Sequence, residues 1–102
     1  MRMLMLVDLP PEPFNSLVRK GTAGETLQRI LGEIKPEAVY FTTTDKGHRG
    51  AVIVVDVSDP SRVPSIAEPL FLQFQAGIEF RVAMTPEDLG KSGLDEIGET
   101  WG

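Results

Sequence analysis

The chain has no cysteine and a single histidine among its 102 residues. The lack of cysteine excludes disulfides, thiol catalysis and cysteine-based metal sites. The remaining candidate ligands, one histidine and scattered carboxylates, lack the close spacing of zinc or calcium sites, so we expect no metal. The glycines form no phosphate-binding motif, and we expect no cofactor.

Positive charge is also scarce. Ten basic residues face fifteen acidic ones, giving a net charge of −5, whereas nucleic-acid binding needs a basic face. No apolar run is long enough to cross a membrane, because the N-terminal run already ends at Asp8. We therefore expect neither nucleic acid nor membrane as a partner, and the lack of cysteine fits a cytoplasmic location.

Four segments have the composition of β-strands, and helical patterns lie between them. A break is expected in the first helical region, because two apolar stripes there point to nearly opposite sides and Thr22 with Glu25 fits a capping box. Pro69 predicts a kink or restart near Glu68 in the later helix. The predicted strands are 3–7, 38–44, 51–57 and 77–84, and the predicted helices are about 12–20, about 23–35, one beginning near Ser58-Asp59-Pro60 or at Pro64, and a short one capped by Thr85.

The order β-α-β-β-α-β predicts a ferredoxin-like α+β domain over residues 1–102, with a tail from about residue 90. In this topology a four-stranded antiparallel sheet has helices on one face, and its first and third strands are central. The two most apolar strand segments, MLMLV and AVIVV, are the first and third, as that arrangement requires.

Two helices cover only one face of such a sheet, yet the third strand is apolar on both faces. The uncovered face would carry Val52 and Val54 together with either Leu4 and Leu6 or Met3 and Met5. Monomers rarely expose an apolar patch of this size. The pattern therefore predicts a homodimer in which a second copy covers the sheet.

The succession RMLMLVDL, TLQRILGEI, AVYFTTT, GAVIVVDV, IAEPLFLQF and IEFRVAMTPEDL, over roughly residues 2–90, resembles the dimeric α+β barrel superfamily. It is most similar to the small bacterial members of unassigned function. The resemblance implies a barrel of two sheets. Other members are muconolactone-isomerase-like enzymes and cofactor-free monooxygenases, and no catalytic signature is shared with them. The amino-acid-binding ACT regulators have the same topology, but their glycine-bearing loop after the first strand is replaced here by DLPPEP.

Four polar residues are candidates for a site. His48 and Arg49, in the turn between the second and third strands, offer a general base and an anion anchor at the barrel mouth. Solvated turn residues are the simpler interpretation, and no partner for a catalytic triad lies nearby in sequence. Tyr40 and Arg81 would line the sheet face as a hydrogen-bond donor and a carboxylate holder. Alternatively, Arg81 pairs with a neighbouring acid such as Glu79 and Tyr40 only packs.

The preferred functional hypothesis is a homodimeric small-molecule-binding or assembly domain without a catalytic motif. The alternative is a cofactor-independent monooxygenase or isomerase acting on a small aromatic or acidic metabolite. Phe71, Phe74 and Phe80 are expected in the core. Trp101 is expected either on a neighbouring subunit or in a frayed terminus.

Overall fold

A computed structural model describes all residues from Met1 to Gly102. Four strands, three main helices and the short helix capped by Thr85 follow the predicted order, and a 3₁₀ turn before the third main helix and a C-terminal helix are added. The strands are β1 (Arg2–Leu9), β2 (Ala38–Thr43), β3 (Arg49–Asp56) and β4 (Gly77–Val82). The helices are α1 (Pro11–Lys20), α2 (Ala23–Ile34), a 3₁₀ turn (Pro60–Arg62), α3 (Val63–Phe74), α4 (Pro86–Gly90) and α5 (Leu94–Trp101).

The strands form one antiparallel sheet in the order β2-β3-β1-β4. The apolar strands β1 and β3 are therefore central and the more polar β2 and β4 are at the edges, which confirms the ferredoxin-like α+β fold. The register places Met5 opposite both Ile53 and Phe80. Because side chains alternate, the odd-numbered residues of β1 and β3 all face the helices.

The core lies between this face and the helices α1, α2 and α3. Its largest fully buried side chains are Phe74, Met5, Leu70 and Val55. Phe74 contacts Phe14 of α1 with ring centroids 5.2 Å apart. Phe80 packs against the core and is partly buried, whereas Phe71 is 38% exposed, so its assignment to the core is wrong. Phe71 lies three residues from Phe74 in α3, and only Phe74 is fully buried.

The predicted break between α1 and α2 is present, with Gly21 in the left-handed region at φ 76°. The expected capping box is not formed, because the Thr22 side chain caps no backbone N–H of α2 and its hydroxyl instead donates to the Leu17 carbonyl oxygen. The helix α3 runs without a restart through Pro69. It begins at Val63, after the turn whose Ser61 N–H donates to the Asp59 carboxylate.

The C-terminal segment projects from this body. Thr85 and Asp88 form the reciprocal capping box of α4, and Arg2 lies 3.8 Å from the Asp88 carboxylate. Beyond it α5 runs to Trp101, and no residue of either helix is buried. No helix in the chain combines the length and apolar character needed to cross a membrane.

Candidate functional site

The sheet face without helices, which we call the open face, has an apolar centre and a polar margin. Leu4 and Leu6 lie directly opposite Val54 and Val52, and all four are half-buried. Around them lie the polar members of the face: Tyr40, Thr42, Asp56, Glu79 and Arg81, as the alternation predicted, together with Asp8. The even-numbered residues Leu4 and Leu6, not Met3 and Met5, therefore occupy the open face.

A cleft of about 470 Å³, open to solvent, lies at one end of this face. Its origin is the register around Asp8, which lies opposite Gly50 on one side and Gly77 on the other. Gly77 places no side chain beside Asp8, and Gly50 allows Thr44 and the Val7 carbonyl oxygen to approach its backbone closely. Leu6 and Val52 form the apolar side of the cleft. Polar groups from the hairpin and β4 line the remainder: Thr42, Thr44, Lys46, Glu79 and Arg81.

The Asp8 carboxylate binds two residues of the β2–β3 hairpin. The Thr44 hydroxyl donates to Oδ1 at 2.6 Å, and His48 Nδ1 lies 3.0 Å from Oδ2. The His48 backbone N–H also donates to the Thr44 hydroxyl oxygen at 3.2 Å. A carboxylate only accepts, so Nδ1 is the protonated nitrogen, and in the neutral ring Nε2 is then the basic atom.

These contacts stabilise the charged form of Asp8. The hydrogen bonds from Thr44 and then His48 hold the pKa of the Asp8 carboxyl below its ordinary value, against a smaller opposing effect of desolvation. The side chains of Asp8 and His48 are 20% and 27% exposed, so the pair is sheltered without being removed from water. Asp8 is therefore an acceptor at neutral pH, and Asp8 with His48 has the geometry of an acid–base pair.

Arg81 lines the cleft and carries an ion pair with Glu79, NH2 to Oε2 at 3.1 Å. Both side chains are more than half exposed. Such an exposed pair contributes only about 0–1 kcal/mol, so exchanging Glu79 for another carboxylate costs little. Arg81 is thus positioned to bind an anionic group at the mouth of the cleft.

Of the four candidates only Arg81 lines the cleft, while His48 is connected to it through Asp8, and Tyr40 and Arg49 have no such connection. Tyr40 is on the open face opposite Val52, but it is 67% exposed and its hydroxyl makes no hydrogen bond. Arg49 points to the helix side, where it donates to Asn15 at 2.7 Å and stacks on the Phe14 ring at 4.8 Å. His48 and Arg49 therefore do not form one site, in contrast to their proposed joint position at the barrel mouth.

The structure also adds a residue that the sequence did not indicate. Asp8 belongs to the cleft and binds both Thr44 and His48, although it is separated from His48 by 40 positions in the chain. His48 therefore has a partner that is distant in the sequence, in keeping with the absence of a triad partner close to it. The sequence offered only a weak indication of Asp8 as a site residue: it is a single acid at the end of an apolar strand, and glycines lie at the start of the third and fourth strands. No three His, Asp or Glu side chains come together in a group suited to a metal.

The chain is similar to known proteins in structure and not in sequence. No family model matches the chain, and no curated protein is significantly similar to it. Among solved structures it is similar to the 5-chloro-2-hydroxyhydroquinone dehydrochlorinase TftG of Burkholderia phenoliruptrix AC1100, in complex with 2,5-dihydroxybenzoquinone. The TM-score is 0.60 at 18% identity, covering 85% of this chain and 97% of the other. At this identity the match supports the ferredoxin-like α+β fold alone.

Proposed function

We propose that the chain is a homodimeric small-molecule-binding protein of the dimeric α+β barrel type, with its ligand in the open-face cleft. The observation that carries the proposal is the cleft itself, a cavity next to an apolar surface with an ionised, sheltered carboxylate between two glycines. Its volume of about 470 Å³ lies within the roughly 300–1,000 Å³ range of ligand pockets.

The homodimer rests on the centre of the open face. Leu4, Leu6, Val52 and Val54 form a contiguous aliphatic patch on the two central strands and are only partly buried in a single copy. Packing two such faces removes this patch from water. It also closes the solvent side of the cleft, so that a ligand would lie between two sheets.

The ligand class follows from the lining. Leu6 and Val52 offer an apolar surface for a planar ring, and Arg81 offers a site for an acidic group. Asp8 accepts hydrogen bonds, so a hydroxyl or amino group on the ligand fits there. A small hydroxylated or acidic ring compound satisfies all three features. The dihydroxybenzoquinone held by TftG belongs to that class.

The binding proposal is tested by titrating the full chain with 2,5-dihydroxybenzoquinone and benzoate in a calorimeter. We expect binding of at least one probe and a loss of about tenfold or more in affinity in Arg81→Ala and Asp8→Asn, because each removes a charged hydrogen-bond partner. Arg49→Ala is the matched control, since that arginine is on the other side of the sheet. Equal affinity in all four proteins would refute the assigned site.

The dimer is tested by sedimentation equilibrium of the full chain and of Val54→Glu. Val54 lies on the open face away from the cleft lining, and its half-exposed position in one copy accommodates a carboxylate without unfolding. We expect a dimer that Val54→Glu converts to a folded monomer, as judged by circular dichroism. A parent chain that sediments as a monomer at micromolar concentration would exclude the homodimer.

The second candidate function is a cofactor-independent isomerase or monooxygenase, favoured by the 3.0 Å contact between His48 and Asp8. Asp8 would orient the imidazole, and Nε2 would take a proton from a ring carbon or hydroxyl and return it elsewhere. Incubation of ring-hydroxylated probes in D₂O tests proton abstraction by NMR, and oxygen uptake tests the oxidation. Activity lost in His48→Gln and retained in Arg49→Ala would support the enzyme. Binding without exchange or oxygen uptake would leave the binding function alone.

A further inference from the structure

The C-terminal segment of residues 85–102, which we call the arm, is not part of the compact body. The radius of gyration is 17.0 Å and the principal extents are 59 × 28 × 19 Å. A compact chain of this length has a radius of gyration of about 13 Å. The difference arises because α4 and α5 extend away from the sheet and bury none of their residues. Apart from the contact between Arg2 and Asp88, the arm is therefore a folded segment whose side chains are not buried in a single copy.

The arm helix α5 is amphipathic. At about 100° per residue, Leu94, Ile97 and Trp101 share one narrow stripe and the acidic residues Asp95, Glu96 and Glu99 lie on the other side. The stripe residues are 54%, 47% and 84% exposed. An eight-residue helix is marginal by itself in water, where isolated helices need roughly 12–15 residues. The stripe thus has the composition of a contact surface.

The charge of the arm limits what it binds. It contains five acidic residues and one lysine, which disfavours nucleic acid and anionic membranes. The body, by contrast, has basic side chains that form no ion pair, and these complement the unpaired acids of α5: Lys20, Arg29, Lys35, Lys46 and Arg62. A second copy of the chain offers all of them.

The area of the open face also indicates a second copy. Four strands about 4.8 Å apart, paired over six residues of roughly 3.3 Å each, give a planar footprint of roughly 400 Å². A stable interface takes about 800 Å² from each partner. Sheet packing alone therefore falls short, and an additional contact of similar size is needed. The arm leaves the sheet at the end of the edge strand β4, from which it extends beyond its own body.

We propose that each arm packs the stripe of Leu94, Ile97 and Trp101 against the body of the second copy and so completes the interface that the open face begins. This inference rests on the homodimer proposed above. It assigns the arm a role as a clasp between copies. It also assigns Trp101 to a shielded position in the dimer, despite its exposure in one copy.

The test uses the full chain, in which Trp101 is the only tryptophan. Sedimentation equilibrium and tryptophan emission are measured over one dilution series, with acrylamide as a neutral quencher. We expect a dimer with blue-shifted, poorly quenched emission that becomes red-shifted and readily quenched as the dimer dissociates. Ile97→Glu should raise the dimer dissociation constant by about tenfold or more, since it removes one buried aliphatic side chain per arm.

The control is Glu99→Gln, on the acidic side of the same helix. It should change the dissociation constant by less than about fivefold, because exposed ion pairs contribute little. The clasp would be overturned if Trp101 stayed exposed and quenchable in the dimer and Ile97→Glu left the dissociation constant unchanged. If Val54→Glu still dissociated that dimer, the sheet dimer would stand without the clasp. A parent chain that is monomeric throughout would overturn both proposals. Shielding of Trp101 in a monomer would mean that the arm folds onto its own body, which also overturns the clasp.

Discussion

Gly50 is the position where one added methyl group should damage both stability and the cleft. It is buried in β3 opposite Asp8. A Cβ placed there would lie 2.7 Å from the Val7 carbonyl oxygen and 2.5 Å from Thr44 Cγ2. Ordinary contact begins at 3.4 Å, so backbone and side chain must each move by about 0.7 Å or more, a strain typical of overpacking.

The magnitude follows from that displacement. Overpacking a tight site costs about 1–3 kcal/mol, and each kcal/mol lowers the melting temperature of a domain this size by about 4–8 °C. Gly50→Ala should therefore melt roughly 4–24 °C below the parent chain. Moving Thr44 also lengthens its hydrogen bond to Asp8, which weakens the contact between the hairpin and the end of β1.

The assay is urea and thermal unfolding followed by circular dichroism, with Gly32→Ala as the matched control. Gly32 is inside α2 and a Cβ there meets nothing within 4 Å. That substitution should stabilise the chain by about 0.5–1 kcal/mol, because alanine favours the helix. The register around Asp8 would be refuted if Gly50→Ala proved as stable as Gly32→Ala.

Three further outcomes are expected. The lowered pKa of Asp8 means that its hydrogen bonds contribute stability fully above the ordinary value of 3.8, and that this contribution is lost as pH falls through the lower folded pKa. The destabilisation by Asp8→Asn should thus be constant near neutrality and shrink in acid, and a difference that grows on acidification would contradict this assignment. Phe74→Ala should cost about 3–5 kcal/mol in urea unfolding because it empties a fully buried position, whereas Phe71→Ala should cost far less; equal costs would contradict the packing of α3. Arg49→Ala should lose about 0.5–1 kcal/mol from its contact with Phe14, measured by the same unfolding, and the loss should be smaller in Phe14→Leu, where only the hydrogen bond to Asn15 remains.

The sheet was accessible to sequence reasoning because its information is local and periodic. MLMLV and AVIVV are apolar on both faces, and only the middle of a sheet suits such strands. The same alternation assigned Glu79 and Arg81 to the open face. The same alternation applies to adjacent residues at the start of β3, so His48 and Arg49 belong on opposite sides of the sheet. The prediction that they share one site did not take this into account.

The cleft was not accessible in the same way, because its parts meet only through pairing. Asp8 and His48 come together once β1 lies beside β3 and the hairpin folds over the strand end. The cavity depends on Gly50 and Gly77 facing Asp8 from two different strands. Neither the contact of Asp8 with His48 nor its position between the two glycines follows from a regular spacing in the sequence. Thr22 shows the converse: a matching local motif, whose hydroxyl instead binds Leu17.

The two contacts of Asp8 with the β2–β3 hairpin link the order of the turn to ligand binding. Thr44 and His48 stand at the two ends of one tight turn, and both are anchored to the same carboxylate. A ligand that donates a hydrogen bond to Asp8 competes with Thr44 and His48 for that carboxylate. Ligand binding and the order of the β2–β3 turn are then thermodynamically linked. The ligand weakens the contacts of the turn with Asp8 by the same free energy by which those contacts weaken ligand binding. Exchange protection of the turn amides would report occupancy directly.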